Sequence, residues 1–490
     1  MTAVCVLCFF SAVCPTPPFP PSPPVPFFFW LMMATGKRAS SVADRTVLTF
    51  STKKLKESNI VQEKERYKYA FVVPGNLPLQ PVEVIGIGSF STVCRAVVNV
   101  GGVTQSSFAI KKLENALSPQ GDERQLSASE GEDSGGVAER KGAALSGMTR
   151  VAREICILQT LSHPFLLRAN RVWAHGYDLY LASQLLTADL AAVLERIRHK
   201  ASHLSLEHIE FISFQMFAGL KYLHDCGIVH RDLVPRNIFV DLKCNVVIGD
   251  FGLARPSFLE RGSVKWSQVK PSEVGSTRFV APEVLLGKKR ASFSSDMWAA
   301  GCIVAEMFRG GRPLFPAPTS IEALLDGYGR VLGSPGEGLL DKLYKCQGGG
   351  VRAGEAFERI KSGGNGVPLI KTVIEEYLET LPGRTEGGEG TAKGFEDILQ
   401  NSVTFDYVNR HSAGKVLGVD AVYHSLRTEW EVGKVAASLD GKELQSELKR
   451  KMALEIELHK MKQKGELDTA IELLRGAILE NVEVLPVALQ

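Results

Sequence analysis

The residues His230-Arg231-Asp232-Leu233-Val234-Pro235-Arg236-Asn237 are followed, thirteen positions after Asn237, by Asp250-Phe251-Gly252. Two short apolar runs, 238–240 and 246–248, fill the interval and predict a small hairpin. A hairpin there gathers two acids and one amide. Asp232 is placed to accept a hydroxyl proton. Asn237 and Asp250 offer oxygens, the ligand atoms that Mg²⁺ prefers. Such a set has little chance of arising without a function.

Upstream lies Ile85-Gly86-Ile87-Gly88-Ser89-Phe90-Ser91-Thr92-Val93. Glycines let backbone N–H groups approach phosphate oxygens without a Cβ in the way. A bare Gly-x-Gly is equally the mark of a tight hairpin, and Ser91 stands where a third glycine would fall. The flanks, 82–84 and 93–98, are β-branched and predict two strands. A dinucleotide-binding loop needs a helix directly after it, so that reading fits poorly. Phe108-Ala109-Ile110-Lys111 predicts another strand with a lysine at its end. A lysine on an adjacent strand could reach phosphates cradled by the loop, given a carboxylate to hold it. The helical run 151–161 supplies Glu154 beside Ile155, Ile157 and Leu158.

With Ala281-Pro282-Glu283 and Asp296-Met297-Trp298-Ala299-Ala300-Gly301 added, the ordered set resembles a eukaryotic protein kinase over about residues 80–428. Asp250 to Arg255, Thr187-Ala188-Asp189-Leu190, Val331 to Pro335 and Tyr377 to Pro382 resemble the mitogen-activated kinases of the CMGC group, in divergent form. The resemblance implies an α+β, two-lobed fold. A small β-rich N-lobe with one key helix would span 79–186, with a low-complexity insert at 114–147. A larger helical C-lobe would span 187–428, with Gly-rich inserts near 348–366 and 383–394. Residues 1–33 would be an apolar, Pro-rich, disordered extension, 34–78 a linker and 429–490 a helical extension.

The same resemblance implies roles. Lys111, Asp232 and Arg236 would be catalytic. Ile85, Gly86, Gly88, Ser89, Val93, Ala109, Lys111, Glu154, Gln184 and Leu186 would face ATP, with Glu154 pairing Lys111. Asn237 and Asp250 would hold Mg²⁺. His230, Phe251 and Leu158 match the internal hydrophobic stack, and Ser183 the residue guarding the back of the ATP pocket. Arg410 would pair with Glu283, although Tyr407 stands where the family has Pro. Arg231 would read phosphate on the activation loop, where Ser272-Glu273-Val274 replaces a Thr-x-Tyr pair. Ser272 is thus the expected regulatory site, with Ser267 and Ser276 as alternatives and ordinary loop serines as the plain reading. Thr277 and Pro235 point to Ser/Thr acceptors. Val280 replaces the Arg that accompanies proline direction.

One departure bears on catalysis. Val234 occupies the position where Ser/Thr kinases carry a Lys that contacts the transferring phosphate, and Val cannot neutralise charge. Arg236 lies where many tyrosine kinases place an Arg with that duty. The expectation is an active kinase with Arg236 compensating; the alternative is a nucleotide-binding pseudokinase acting as a scaffold. Protein substrates and an upstream kinase are the expected partners, nucleic acid and membrane are not, and the expected location is the cytoplasm, with the nucleus as a second.

Composition agrees. A net charge of +3 over 490 residues gives no electrostatic case for nucleic acid. Nine scattered cysteines point to a reducing compartment rather than a disulfide framework. Residues 1–33 carry no charge and hold eight of the 24 prolines, too broken for a membrane span. A leader is one reading; the favoured one is a disordered, Pro-rich extension or translation from Met32 or Met33. Cys5 and Cys8 have no second pair to complete a zinc site. In the tail, Leu467, Ala470, Ile471, Leu474, Ala477 and Ile478 fall on one helical face, expected to pack.

Overall fold

The β-branched runs around the glycine loop are strands. β1 (Leu79–Ile87) and β2 (Ser91–Val100) pair antiparallel, and β3 (Val103–Leu113) pairs antiparallel with β2. The structure is a computed structural model that describes residues 71–74, 79–87, 91–100, 103–119, 137–199, 204–257, 277–285, 292–315, 321–333, 338–339, 369–380, 388–432 and 441–485. The chain divides into two compact units, one built on a sheet and one on helices. They realise the two lobes of the expected α+β fold.

The sheet unit comprises residues up to Ser162, 167–185 and 442 onward. β4 (Ala169–His175) and β5 (Asp178–Gln184) extend the sheet in the order β1-β2-β3-β5-β4. The strand Glu483–Leu485 adds a sixth member, parallel to β4. Cys94, Ala96, Ile110 and Tyr180 form the core of one face with Trp173, whose Nε1 donates to Val72 O at 2.8 Å. Phe71 joins them, so residues 71–74, at the end of the stretch read as a linker, pack on the sheet.

The insert also differs from expectation. Helix Val137–Thr160 takes in its last eleven residues, 137–147. Behind the acidic, Gly-rich part lies Ala143-Ala144-Leu145-Ser146-Gly147-Met148, and Ala144, Leu145 and Met148 are buried. Gly142 and Gly147 disguise a helix whose stability comes from packing rather than propensity. At the front of the insert, Leu117 is fully buried and its N–H donates to Tyr177 O at 2.9 Å. Three tail helices, Gly441–Lys451, Ala453–Lys464 and Leu467–Leu479, complete this unit, and the periodic residues Ala470, Ile471, Leu474 and Ile478 are buried as expected.

The helical unit spans 163–166 and 186–441. Helices Leu206–Asp225 and Phe293–Phe308 form its centre, and nearly every residue of the second is buried. Tyr423 Oη donates to Ser213 Oγ at 2.8 Å inside this core. Of the third Gly-rich stretch, residues 388–394 are helical rather than a loop, as the start of Gly388–Ser402. A Cβ on Gly394 would lie 2.5 Å from Val422 Cγ2, so the glycine permits a close helix approach. Among the described residues no helix is long and apolar enough to cross a membrane, and all five cysteines are unbridged.

Arg410 and Glu283 form a fully buried bidentate pair, Nη1–Oε1 2.8 Å and Nη2–Oε2 2.9 Å. The guanidinium also donates to Thr404 O and Ser294 O and lies 5.1 Å from the Trp298 ring centroid. Removing one partner of such a pair strands the other charge. Arg410→Met is therefore expected to destabilise the helical unit by about 3–5 kcal/mol, read as a lowered denaturation midpoint against wild type.

Candidate active site

Strand register brings the first group together. Gly86 pairs with Val93 and Val93 with Lys111, so three candidates lie in one row across β1, β2 and β3. Residues directly opposite one another in an antiparallel sheet share a face. Two and three positions back along β3 from Lys111, Ala109 lies opposite Ser183 and Phe108 opposite Gln184. A Cβ at Gly86 would meet Val93 Cβ at 3.8 Å, an ordinary contact. Packing thus does not demand glycine at this position, which suits a backbone that must admit a phosphate. Ile85, 43% exposed, offers an uncovered apolar side chain beside it.

Lys111 Nζ reaches Glu154 Oε1 at 2.7 Å. Glu154 is buried on the Val137–Thr160 helix while the Lys111 side chain keeps partial exposure. A held, partly solvated cation is what polyphosphate binding requires. Leu158, one turn further along the helix, is buried as expected of a core residue.

The second group belongs to the helical unit. Strands Ile238–Val240 and Val246–Ile248 pair with Ile238 opposite Ile248, the hairpin that the spacing predicts. Gly249 N–H donates to Asn237 O at 2.9 Å, which carries the ladder one step further and leaves Asp250 next along the chain. Asn237 Nδ2 donates to Asp232 O at 2.8 Å and to Asp232 Oδ2 at 3.1 Å. With that nitrogen committed, the amide oxygen is the atom that can serve a cation. Asp250 is exposed, its Oδ1 3.5 Å from the N–H of Gly252. Mg²⁺ is commonly held by one or two such side chains together with substrate phosphates, so the donor set fits. The described residues contain no cluster of three or more His, Cys, Asp or Glu able to hold a metal, and this kind of site needs none.

Two residues near this centre that carry no role in the sequence reading set its geometry. Asp296, 1% exposed, accepts the N–H of His230 (2.8 Å), the N–H of Arg231 (2.9 Å) and His224 Nε2 (2.9 Å). These bonds hold Arg231 at φ 70°, a left-handed conformation uncommon outside glycine. Gln215 acts on the hairpin: its Oε1 accepts Val246 N–H at 2.9 Å and its Nε2 donates to Cys244 O at 2.8 Å. An Asp and a Gln inside apolar helices were the available signals, since buried polar groups must find partners. His230 is fully buried, accepting Asp232 N–H at Nδ1 and bonding Gly249 O through Nε2, with its ring 5.4 Å from Phe251.

Val234 is buried, 3% exposed, and Arg236 is exposed. Val234 lines a small cavity with Phe279, Ala281 and Asp296. Thr277 is buried in a short turn, Thr277–Phe279, just before Pro282–Leu285. Leu186 is half-buried and belongs to the helical unit. Gly88, Ser89, Ser267, Ser272 and Ser276 lie outside the described residues.

The protein kinase domain family matches residues 79–327, just over half of the chain. The mitogen-activated protein kinase mpkC of Aspergillus oryzae is 32% identical over 266 residues, covering 54% of this chain and 64% of the relative. The mpkC of Aspergillus niger is 30% identical over 384 residues, covering 74% and 77%. The mitogen-activated protein kinase p38b of Drosophila melanogaster is 29% identical over 315 residues, covering 61% and 74%. The chain thus spans just under two thirds of the first of these relatives.

Burial raises the Asp232 carboxyl from its ordinary value and the Asp250 carboxylate adds to the rise, while the His230 charge, the Asn237 hydrogen bond and the Arg236 charge oppose it. Two like charges disfavour joint ionisation. Asp250→Asn is therefore expected to lower the Asp232 titration midpoint, and Arg236→Ala to raise it. Carboxyl-carbon NMR titration reads both shifts.

Proposed function

The chain belongs to the protein kinase family, as a divergent member similar to the mitogen-activated protein kinases, and from that premise we propose an ATP- and Mg²⁺-dependent serine/threonine kinase that phosphorylates protein hydroxyls in signalling. The Asp232–Asn237 contact, tied by one backbone bond to the strand leading into Asp250, carries this reading. It supplies a hydroxyl acceptor beside two oxygen donors.

Asp232 would orient the attacking hydroxyl and take its proton, a duty that its raised affinity for protons favours. Lys111, steadied by Glu154, would hold phosphate oxygens. Mg²⁺, when bound, would neutralise charge on those phosphates. Arg236 would supply the positive charge that Val234 lacks; its field already acts on both Asp189 and Asp232. Catalysis of this kind rests on positioning and charge rather than covalent chemistry. The buried Thr277, ahead of Ala281-Pro282-Glu283, supports Ser/Thr acceptors.

The second reading, a nucleotide-binding pseudokinase scaffold, is favoured by one observation, an apolar and buried Val234 at a position of catalytic charge. Turnover separates the two. The full chain with Mg²⁺-ATP and a generic protein substrate is expected to yield phosphoserine or phosphothreonine well above an Asp250→Ala control. Signal equal to the control would sink the kinase reading while leaving nucleotide binding intact. Arg236→Ala is expected to lower kcat roughly 10²-fold, the scale of losing one charge-stabilising group. Mass-spectrometric mapping of active protein should find phosphate on Ser272; an unmodified Ser272 would remove it as the activating site.

A further inference from the structure

The helix that carries Glu154 is held from a second side. Thr149, Arg153, Cys156 and Thr160 recur at i, i+4, i+7 and i+11, a single stripe. All four line a cavity of ≈ 110 Å³, and Lys451, Met452, Glu455, Leu458, Leu474 and Ile478 of the tail helices line it too. The Arg153 guanidinium bonds both oxygens of Glu455, Nη2 with Oε1 and Nε with Oε2 at 3.2 Å. The two side chains are 2% and 10% exposed and lie 302 positions apart in the chain.

Flanking bonds repeat the contact along the helix. Lys451 Nζ donates to Thr160 Oγ1 at 3.0 Å, Lys462 Nζ to Ser146 Oγ at 3.1 Å, and Lys141 pairs with Asp468 at 2.6 Å. Beyond them the strand Glu483–Leu485 anchors the tail in the sheet at Trp173–His175. A bidentate guanidinium–carboxylate pair fixes direction as well as distance. Arg153 and Glu154 are consecutive, so their side chains leave the helix about 100° apart. A rotation of the helix that released Glu154 from Lys111 would also pull Arg153 from a buried Glu455, which is costly.

We propose that Glu455 is a positioning residue for the Lys111–Glu154 pair, acting through Arg153, so that the tail is a working part of the phosphate-holding site. The inference rests on the nucleotide reading of Lys111. It is tested in the full chain by the rate at which an acyl-phosphate derivative of ATP labels Lys111. Glu455→Ala is expected to slow labelling about tenfold, within the range of known long-range couplings. In a Glu154→Gln background it should add no further loss, because the path through Glu154 is already cut.

Equal losses in both backgrounds, or unchanged labelling, would overturn the proposal, since a merely structural role adds independently. Should Glu455→Ala fail to fold, Glu455→Gln, which keeps shape and an acceptor oxygen, goes through the same cycle with a smaller expected loss. If wild type is not labelled at Lys111, the nucleotide reading fails, and hydrogen exchange across Val137–Thr160 reads the clamp alone. Faster exchange at 150–158 in Glu455→Ala would support it, and unchanged exchange would overturn it.

Discussion

A carboxylate 1% exposed has to find donors, and Asp296 finds three, two of them backbone N–H groups at His230 and Arg231. The positive φ at Arg231 costs of order 1–3 kcal/mol, which only a surrounding structure that over-determines it can hold. The buried helix Phe293–Phe308 provides that structure, because it fixes where the carboxylate stands. From there the order of events is local. His230 is set, its ring bonds Gly249 O, Gly249 N–H bonds Asn237 O, and Asn237 bonds Asp232. One buried charge thus organises a loop that strand pairing alone would leave loose.

The sheet unit has a different logic. The Lys111–Glu154 ion pair joins a strand to a helix. Lys111 takes its place from the β2–β3 register, in which a one-residue slip would turn its side chain to the other face. Glu154 takes its place from packing on two sides of its helix, through buried Ile155, Ile157 and Leu158 and through the tail.

Much of this was legible in the residues. The interval between Asn237 and Asp250 encodes a hairpin, and the hairpin forms with the pairing that unites them. Glu283 and Arg410 meet despite Tyr407, because the bidentate contact depends on the guanidinium and not on the neighbouring turn. The tail was legible as a charged helical run and an amphipathic helix, but not as a partner of Arg153. Glu455 reads like any surface charge in a run of Lys and Glu, and its burial against Arg153 is a tertiary fact with no local signal. The helix start at Val137 was hidden by glycines and by the acidic run before it. Where Gly394 meets Val422, glycine content meant close approach rather than a loop.

Val234 shows how the same loop serves two demands. An apolar side chain there is buried beside Phe279 and Ala281, so it fastens the loop to the segment that carries Thr277. A lysine could not occupy that cavity with its charge without a large desolvation cost. The charge instead sits two residues on, at exposed Arg236, on the short turn Pro235–Asn237, where its field reaches Asp189 and Asp232. Solvent weakens that field relative to a buried charge, but the long Arg side chain keeps its reach. On the proposed reading, packing falls to Val234 and charge to Arg236.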